Sequence, residues 1–366
     1  MWSEMTWMRV RALLFLALLV IPISLGGGGE HRYLYAVVYR IENRGPHPVR
    51  LSEDDRSIAL FWSSRYQRVE LLNSTPDIER RYSDDDGNPL ALLKLPEEIG
   101  PGENLTLTAY YIIRLRGRPR PRLNPEKAGE LGDIPKKLVE EFCVSTDTFR
   151  IDDRIRRLAE EVTENESTVL GMVTALVGWV REHICYGSGE LPKYPQETLR
   201  DGYGDCDDQA ILLVTLCRAV GIPALLQLGC VYLRDYEGRR LVWEGHLDVG
   251  QRNIGWHGWA LVYIPPWGWL PVDLTLRAVG EPINCIAKAP EYEGYIAVCY
   301  NISRGDYVGD SRRERERVIE EGLYLTLYEE LIPQRAKRPM GIGEAIIVAA
   351  TLTIVIILIL GWRRAF

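Results

Sequence analysis

One cysteine in the sequence lies where a thiol could act as a nucleophile. Cys206 follows a stretch with two glycines, 202–205, and precedes an apolar segment that ends at Gly221-Ile222-Pro223. A glycine followed closely by a proline is typical of a helix end. The sequence therefore predicts a buried helix with Cys206 at its N-terminus, where free N–H groups and the helix dipole favour thiolate over thiol.

A cysteine nucleophile also needs a base and a group that orients this base. His257, one of five histidines, lies just before an apolar stretch, 259–264, that predicts a buried strand. A turn and a second strand, 269–274, follow, so a hairpin would place Asp273 roughly opposite position 259, within reach of the imidazole. Cys206, His257 and Asp273 are therefore candidates for nucleophile, base and orienting acid.

This constellation resembles the transglutaminase-like superfamily of papain-type cysteine enzymes. The matching blocks are, in chain order, 179–186, 198–210, 216–224, His257-x-Trp259 and 269–275. The resemblance covers about 151–279 and implies that Cys206 is the nucleophile, His257 the general base and acid, and Asp273 the orienting group. Many members carry an acidic residue two positions after the tryptophan, where this sequence has Leu261; we expect this difference to affect packing or substrate contacts more than the triad.

The sequence defines the oxyanion-stabilising group less clearly. Papain-like enzymes use a glutamine shortly before the cysteine, but the position six before Cys206 is Arg200 and the nearest glutamine is Gln196. Transglutaminase relatives use an aromatic donor together with the N–H of the nucleophile, so the resemblance makes Tyr186 the oxyanion candidate. The alternative role for Tyr186 is packing of the preceding helix against the core.

Several alternatives concern the same residues. Three acidic residues flank the thiol, namely Asp205, Asp207 and Asp208. We interpret them as caps of the helix start, and their charges would oppose thiolate formation unless they point away. His246 is a competing base, interpreted as a loop residue near the cleft. A metal site at Cys206, His257 and Asp273 is disfavoured because the sequence has neither Cys-x-x-Cys nor His-x-x-x-His. We therefore predict no cofactor, and calcium dependence is left open.

The two ends of the chain predict a membrane-anchored protein. Residues 1–29 combine arginines, an apolar run and a glycine tract, which is typical of a signal peptide or signal anchor. Residues 345–361 carry no charge, and with Ile342 and Trp362 as ends the segment 342–362 can span a bilayer of about 30 Å. Residues 363–366 would then form a cytoplasmic tail. The predicted localisation is the cell membrane, with the catalytic domain outside the cytoplasm.

Other counts agree with an external body. Besides Cys206 there are six cysteines, which permit up to three disulfides: Cys143, Cys185, Cys217, Cys230, Cys285 and Cys299. Cys285 and Cys299 are the most local candidate pair. Sequons for N-glycosylation occur at Asn73, Asn104, Asn165 and Asn301. The formal net charge of −7 is spread over mixed-sign segments, so we expect no nucleic-acid partner.

The sequence predicts an α+β fold in which a transglutaminase/papain-like core follows a small antiparallel β-sandwich and precedes a C-terminal transmembrane helix. The sandwich is placed at 30–117 on strand-like segments with period-two alternation. A linker at 118–133, a catalytic domain at 134–310 and a juxtamembrane helical segment at 311–341 follow. The acidic cluster 84–88 is interpreted as a hairpin turn, because it lacks the spacing of a calcium-binding EF-hand loop.

Together these features predict a surface-anchored cysteine enzyme that acts on amide or peptide bonds of protein or peptide substrates through an acyl-enzyme. Transfer of the acyl group to an amine or to water is left open, since it depends on how well the site excludes water. The alternative is a catalytically silent adhesion or assembly module of the cell envelope with the same fold. Redox exchange through Cys206 is disfavoured because no resolving cysteine lies nearby in sequence.

Overall fold

A computed structural model describes residues 30–276 and 279–334 of the chain. Residues 31–334 form one compact unit. The predicted signal segment, transmembrane helix and cytoplasmic tail lie outside the described residues.

Within the described ranges the chain alternates between strands and short helices. The strands are β1 (Glu30–Asn43), β2 (Val49–Arg50), β3 (Ser57–Ala59), β4 (Gln67–Thr75), β5 (Ile78–Ser83), β6 (Pro89–Leu93), β7 (Glu98–Ile99), β8 (Asn104–Arg116), β9 (Cys185–Tyr186), β10 (Tyr203–Gly204), β11 (Ala224–Val242), β12 (Leu247–Ile264), β13 (Gly268–Val272), β14 (Ile296–Ile302) and β15 (Leu323–Pro333). The helices are α1 (Lys136–Phe142), α2 (Asp153–Thr163), α3 (Val169–His183), α4 (Pro195–Asp201), α5 (Cys206–Ala219), α6 (Asn284–Ala287) and α7 (Tyr307–Glu320).

An eight-stranded sheet organises the fold. Seven strands follow the order β14-β11-β12-β15-β1-β8-β4, and β13 forms a hairpin with β12. β15 pairs parallel with β12 and antiparallel with β1. Strands from the N-terminal third of the chain and strands from its second half therefore belong to one continuous sheet.

The two faces of this sheet are covered by different layers. Helices α2, α3 and α5 pack on one face, where alternate residues of β12, Ala260, Val262 and Ile264, are fully buried. A three-stranded sheet of order β3-β6-β5 contributes to a second core, which includes Tyr35 and Tyr111 of the large sheet. Strand β12, which carries His257, thus packs against helices on one face and pairs with neighbouring strands along its length.

The predicted fold class is wrong in how it places the N-terminal strands. The strand-like segments of 30–117 do contain strands, but β1, β4 and β8 extend the sheet of the catalytic half instead of forming a sandwich that precedes it. The second core includes Cys230 of β11 and Leu331 of β15, so apolar side chains from both halves of the chain share it. The domain boundaries at 117 and 134 stay predictions.

The membrane helix in the predicted fold class is also not supported. No helix in residues 30–276 and 279–334 has the length and apolar character needed to cross a membrane. The 15-residue α3 is about 22 Å long, short of a hydrocarbon layer of about 30 Å. The segment proposed to span the membrane, 342–362, lies outside the described residues.

Of the helical segment predicted at 311–341, only the first part of the described residues is a helix. Helix α7 ends at Glu320, and Leu323–Pro333 forms β15. In this stretch Leu323, Leu325, Glu329 and Leu331 are buried, each an even number of positions from the next, as a strand inside a sheet requires. The charged sequence of α7 directly precedes this strand, so the change from helical to strand periodicity was not recognised.

Candidate active site

Cys206 is the first residue of α5, as predicted. The Asp205 side chain caps the helix by accepting a hydrogen bond from the Asp208 N–H, at 3.5 Å, and the Asp208 carboxylate accepts from the Asp205 N–H, at 3.2 Å. Gly221, with φ of 81°, follows the helix end. Almost every residue of α5 is buried, so the helix holds the thiol in a fixed position.

His257 and Asp273 lie on the hairpin formed by β12 and β13. The last pair of this ladder is Ala260 with Val272; Asp273 follows Val272 directly, and His257 lies three positions before Ala260 on the other strand. His257 Nε2 lies 2.6 Å from Asp273 Oδ2, and both side chains are buried. The other carboxylate oxygen accepts the backbone N–H groups of Thr275 and Leu276, at 3.1 and 3.0 Å. Asp273 is therefore fixed at both oxygens.

The start of α5 packs directly against the strand at Gly258. A Cβ atom at this position would lie 2.9 Å from Asp207 Cβ and 3.0 Å from Asp207 Cα, so only glycine fits without a shift. The Gly258 backbone also hydrogen-bonds to the Cys206 sulfur. Cys206 therefore lies beside the peptide that follows His257, and the three predicted residues are grouped at one place.

Burial and neighbouring charged groups shift the pKa values of Asp273 and Cys206. Burial opposes ionisation of Asp273, but the hydrogen bond and charge of His257 outweigh it and lower the pKa of this carboxyl group. Burial, followed by the charge of Asp207, raises the pKa of Cys206 to about 12, although hydrogen bonds from the Gly258 and Asp207 backbones act in the opposite direction. The helix N-terminus was expected to favour the thiolate. Because the pKa of Cys206 is raised instead, the thiol needs a base to accept its proton.

The aspartates beside the thiol bond to other side chains and backbone groups, and in part to one another. The Asp207 carboxylate accepts a hydrogen bond from the Tyr307 hydroxyl, at 2.8 Å. The Asp208 carboxylate accepts a hydrogen bond from the backbone N–H of Lys193, at 2.7 Å, in addition to its capping bond. Burial, then the hydrogen bond and charge of Asp207, raise the pKa of Asp205 to about 9. Asp207 is thus the acid whose negative charge most directly opposes thiolate formation.

Asp207→Asn is expected to make Cys206 more reactive. Removal of this negative charge lowers the pKa of the thiol, and each unit of decrease raises the thiolate fraction tenfold below the pKa, so we expect alkylation at pH 7.5 to accelerate by about 3- to 10-fold. The measurement is the pseudo-first-order rate of iodoacetamide incorporation at Cys206. Tyr307→Phe, which leaves the charge in place, is the matched control and should give no acceleration. An unchanged rate in the asparagine variant would contradict the assigned charge effect.

Tyr186, the predicted oxyanion donor, lies on β9 and is 64 % exposed. β9 pairs with β10, which leads into Cys206, and Tyr186 opposes Gly204 in the register. Burial, then the charge of Cys206, raises the pKa of the Tyr186 phenol. Its role as donor stays a prediction.

The other upstream candidates lie elsewhere. Gln196 donates to the Arg150 carbonyl and to Asp152, at 2.8 and 3.1 Å. Arg200 forms an exposed ion pair with Asp201. Neither side chain contacts the thiol in these interactions, so the papain-like glutamine has no counterpart among them.

His246, the competing base, is engaged outside this group. Its Nδ1 atom lies 2.7 Å from the Leu323 carbonyl, and its ring stacks on Tyr324 at 4.3 Å. The structure therefore separates His246 from the pair formed by His257 and Asp273.

All seven cysteines are free in the structure. Cys285 belongs to the core beneath the helices and Cys299 to the core between the sheets, so the most local candidate pair is not brought together. The structure therefore has no disulfide between these two candidates.

Sequence reasoning missed one side chain of the site, Glu291. One ring nitrogen of His257 and one carboxylate oxygen each of Asp273 and Glu291 lie within 4.8 Å of one another, as the ligands of a metal ion could. The short hydrogen bond from His257 to Asp273 accounts for two of these groups without a metal ion, because a protonated Nε2 offers no lone pair to a cation. Glu291 follows Asp273 by 18 positions and belongs to no motif, so nothing in the sequence pointed to it.

Comparison with known proteins supports the resemblance to the transglutaminase-like superfamily. Residues 156–274 match the model of the transglutaminase-like superfamily. A provisionally assigned cysteine protease from Cytophaga hutchinsonii has a similar structure, with a TM-score of 0.53 and 16% sequence identity over 85% of this chain and 93% of the other. This part of the chain therefore has a transglutaminase-like fold.

More distant structural matches also include bacterial proteins. The periplasmic domain of TgpA from Pseudomonas aeruginosa bound to ethylmercury is 16% identical over 70% of this chain and 92% of that chain, with a TM-score of 0.30. EGTA-treated LapG from Legionella pneumophila is 16% identical over 45% and 96%, with a TM-score of 0.29. We draw no conclusion from similarities at this level. No curated protein matches the sequence significantly.

Proposed function

We propose that this protein is a cysteine enzyme that cleaves amide or peptide bonds through an acyl-enzyme on Cys206. The observation that carries the proposal is the 2.6 Å contact between His257 Nε2 and Asp273 Oδ2, located where the head of α5 packs against Gly258. A thiol, an imidazole and a fixed carboxylate in this order form the grouping that nucleophilic catalysis requires.

The mechanism follows from the orientation of His257. Because Nε2 faces Asp273, Nδ1 is the ring atom left to accept the thiol proton. The sulfur of Cys206 attacks the carbonyl carbon, and the resulting oxyanion is stabilised by the Cys206 N–H and the Tyr186 hydroxyl. His257 then returns its proton to the leaving amine as the C–N bond breaks, which leaves a thioester on Cys206.

The second half of the reaction regenerates the thiol. Water or an amine attacks the thioester, His257 accepts a proton from this nucleophile, and the proton passes to the sulfur as the C–S bond breaks. Water gives proteolysis or deamidation and an amine gives cross-linking. We propose protein or peptide substrates for both outcomes. The location of the enzyme outside the cytoplasm stays a prediction from the sequence.

Selective alkylation of Cys206 is the expected result that tests this proposal. Cys185 is an exposed thiol on the neighbouring β9, so it reports accessibility alone. Cys206 has a raised pKa, so without a base it should react slowly. We expect the ratio of labelling at Cys206 to labelling at Cys185, mapped by mass spectrometry of the native protein, to fall at least about tenfold in His257→Ala.

His246→Ala is the matched control, because it removes a histidine that contacts Leu323 and Tyr324 instead. Its labelling ratio should equal that of the wild type. Equal ratios in the His257 variant and the wild type, or absence of Cys206 labelling in both, would reject the catalytic proposal and favour a silent module with this fold.

A further inference from the structure

The Glu291 carboxyl group is buried behind the candidate catalytic pair without an ordinary partner. It lies in the short 3₁₀ turn Pro290–Glu293, which follows α6. Neither of its side-chain oxygens is reached by solvent or receives a hydrogen bond from an N–H or O–H group within the described part of the chain. Burial of an ionised carboxylate without donors is costly, so this group must hold a proton or have an unusual neighbour.

The neighbour is Asp273, whose carboxylate faces Glu291. Two adjacent carboxyl groups in a buried site cannot both be ionised at low cost, so one keeps the proton. Asp273 already accepts hydrogen bonds from His257, Thr275 and Leu276. These donors stabilise the negative charge on Asp273. Glu291 receives no hydrogen bond of normal geometry, and its own backbone N–H lowers its pKa less than burial and Asp273 raise it. The proton therefore belongs on Glu291.

We propose that Glu291 is a positioning residue: its protonated carboxyl group donates a hydrogen bond to the Asp273 carboxylate and holds this carboxylate in the orientation that binds His257 Nε2. The hydrogen bond can be tested without any catalytic activity. Only its consequence for the thiol rests on the proposed function.

The charges around Glu291 agree with this assignment. Burial, then the charge and hydrogen bond of Asp273, raise the pKa of Glu291 well above its usual value. The Arg118 guanidinium acts in the opposite direction, but it lies over the rings of Tyr66 and Tyr292, at 5.6 and 5.5 Å, and the pKa remains raised.

The other titratable groups that interact with this pair are His257, Cys285, Tyr292 and Arg118. His257 bonds to the far side of Asp273, and Cys285 accepts the Asp273 N–H through its backbone carbonyl, at 3.0 Å. Glu291 and Arg118 also line a cavity of about 360 Å³, which Trp269 and Trp259 border as well. Ionisation of Glu291 would add a second negative charge next to the carboxylate that orients His257.

Three variants of the full-length protein separate the possible roles. Glu291→Gln keeps a hydrogen-bond donor of similar shape but cannot ionise, and Glu291→Ala removes the donor. Glu293→Gln is the matched control, because Glu293 lies on the same 3₁₀ turn and pairs with Arg120 at the surface, at 2.7 Å. Circular dichroism first establishes that each variant is folded.

The first readout is the pH dependence of the unfolding equilibrium constant. Above about pH 4.5, the unfolded chain releases the Glu291 proton, whereas the folded chain retains it. Folding stability of the wild type therefore falls as pH rises, and its unfolding constant should increase relative to that of Glu291→Gln by up to about tenfold per pH unit. Glu293→Gln should show no such divergence from the wild type. Parallel curves for the wild type and Glu291→Gln would overturn the proposal, because Glu291 would then ionise normally.

The second readout is the alkylation rate of Cys206 as a function of pH. Glu291→Gln should retain the wild-type rate near neutral pH and lose any inflection caused by Glu291 ionisation, whereas Glu291→Ala should react about 3- to 10-fold more slowly across the range. Equal losses in both variants would overturn the positioning role and indicate packing alone. If Cys206 is unreactive in every protein, the catalytic proposal fails while the unfolding measurement still decides the hydrogen bond.

Discussion

Asp273→Asn is expected to lower catalytic turnover by about 10²- to 10⁴-fold while leaving the fold intact. The asparagine Oδ1 can still accept the Thr275 and Leu276 N–H groups, so the loop keeps its conformation. Its NH₂ group would face His257 Nε2 in place of the carboxylate, at the position of the present 2.6 Å hydrogen bond. The imidazole would then carry its proton on Nδ1, the nitrogen needed to accept the proton of Cys206.

The measurement is steady-state hydrolysis of an activated ester such as p-nitrophenyl acetate, together with the circular dichroism spectrum. Asp248→Asn is the matched control: it makes the same change on β12, where Asp248 pairs with the exposed Arg239 at 2.6 Å. The control should retain wild-type turnover. If the Asp273 variant retained turnover within a few-fold of the wild type, Asp273 would not be the orienting group.

The parts of the site that are local in sequence could be predicted from it. The capping residue Asp205 and Gly221 after the helix end indicate the helix that begins at Cys206. The hairpin that joins His257 to Asp273 spans only 16 positions. Both depend on short-range patterns of capping, turn chemistry and apolar periodicity. The grouping of the three residues follows from these elements, and the transglutaminase-like fold was recognisable for the same reason.

The electrostatics of the site could not be predicted in the same way. The position of Cys206 at a helix N-terminus suggested a stabilised thiolate, but burial and the Asp207 charge outweigh the backbone effect and raise the pKa of the thiol. Burial is a property of the folded chain, and so is the contact between Asp273 and Glu291. The role of each group therefore depended on neighbours that no sequence pattern specifies.

The architecture of the N-terminal half was mispredicted because its partners are distant in sequence. Tyr35 of β1 hydrogen-bonds to Glu329 of β15, 294 positions away. The strand pattern gives the identity of each strand but not its neighbour in the sheet, so a separate sandwich was an equally consistent prediction. β15 was further hidden by the charged helix α7 before it. This strand is what joins β1 to β12.

Glu329→Ala is accordingly expected to cause the largest loss of stability, about 3–5 kcal/mol in the free energy of unfolding. The Glu329 carboxylate is 1% exposed and accepts three donors: Tyr35 at 2.6 Å, Gln251 at 3.1 Å and Trp256 at 2.9 Å. Removal of the carboxylate leaves the buried donors Tyr35 and Gln251, and the partly exposed Trp256, without this acceptor. Because the donors lie on β1 and β12, their loss weakens the contacts of β15 with both strands that pair with it.

Urea unfolding followed by circular dichroism and by tryptophan fluorescence measures this change. Glu330→Ala, on the same strand, removes a partly exposed carboxylate that pairs with Arg252 at 3.6 Å, and it should cost less than about 1 kcal/mol. Glu329→Gln keeps one acceptor oxygen but turns an NH₂ group toward the donors, so its loss should fall between the two. Since β15 connects the N-terminal strands to the strand that carries His257, we expect both probes to report one transition. Two separate transitions would show instead that the two halves of the sheet unfold independently, and a loss below 1 kcal/mol would show that the carboxylate does not hold them together.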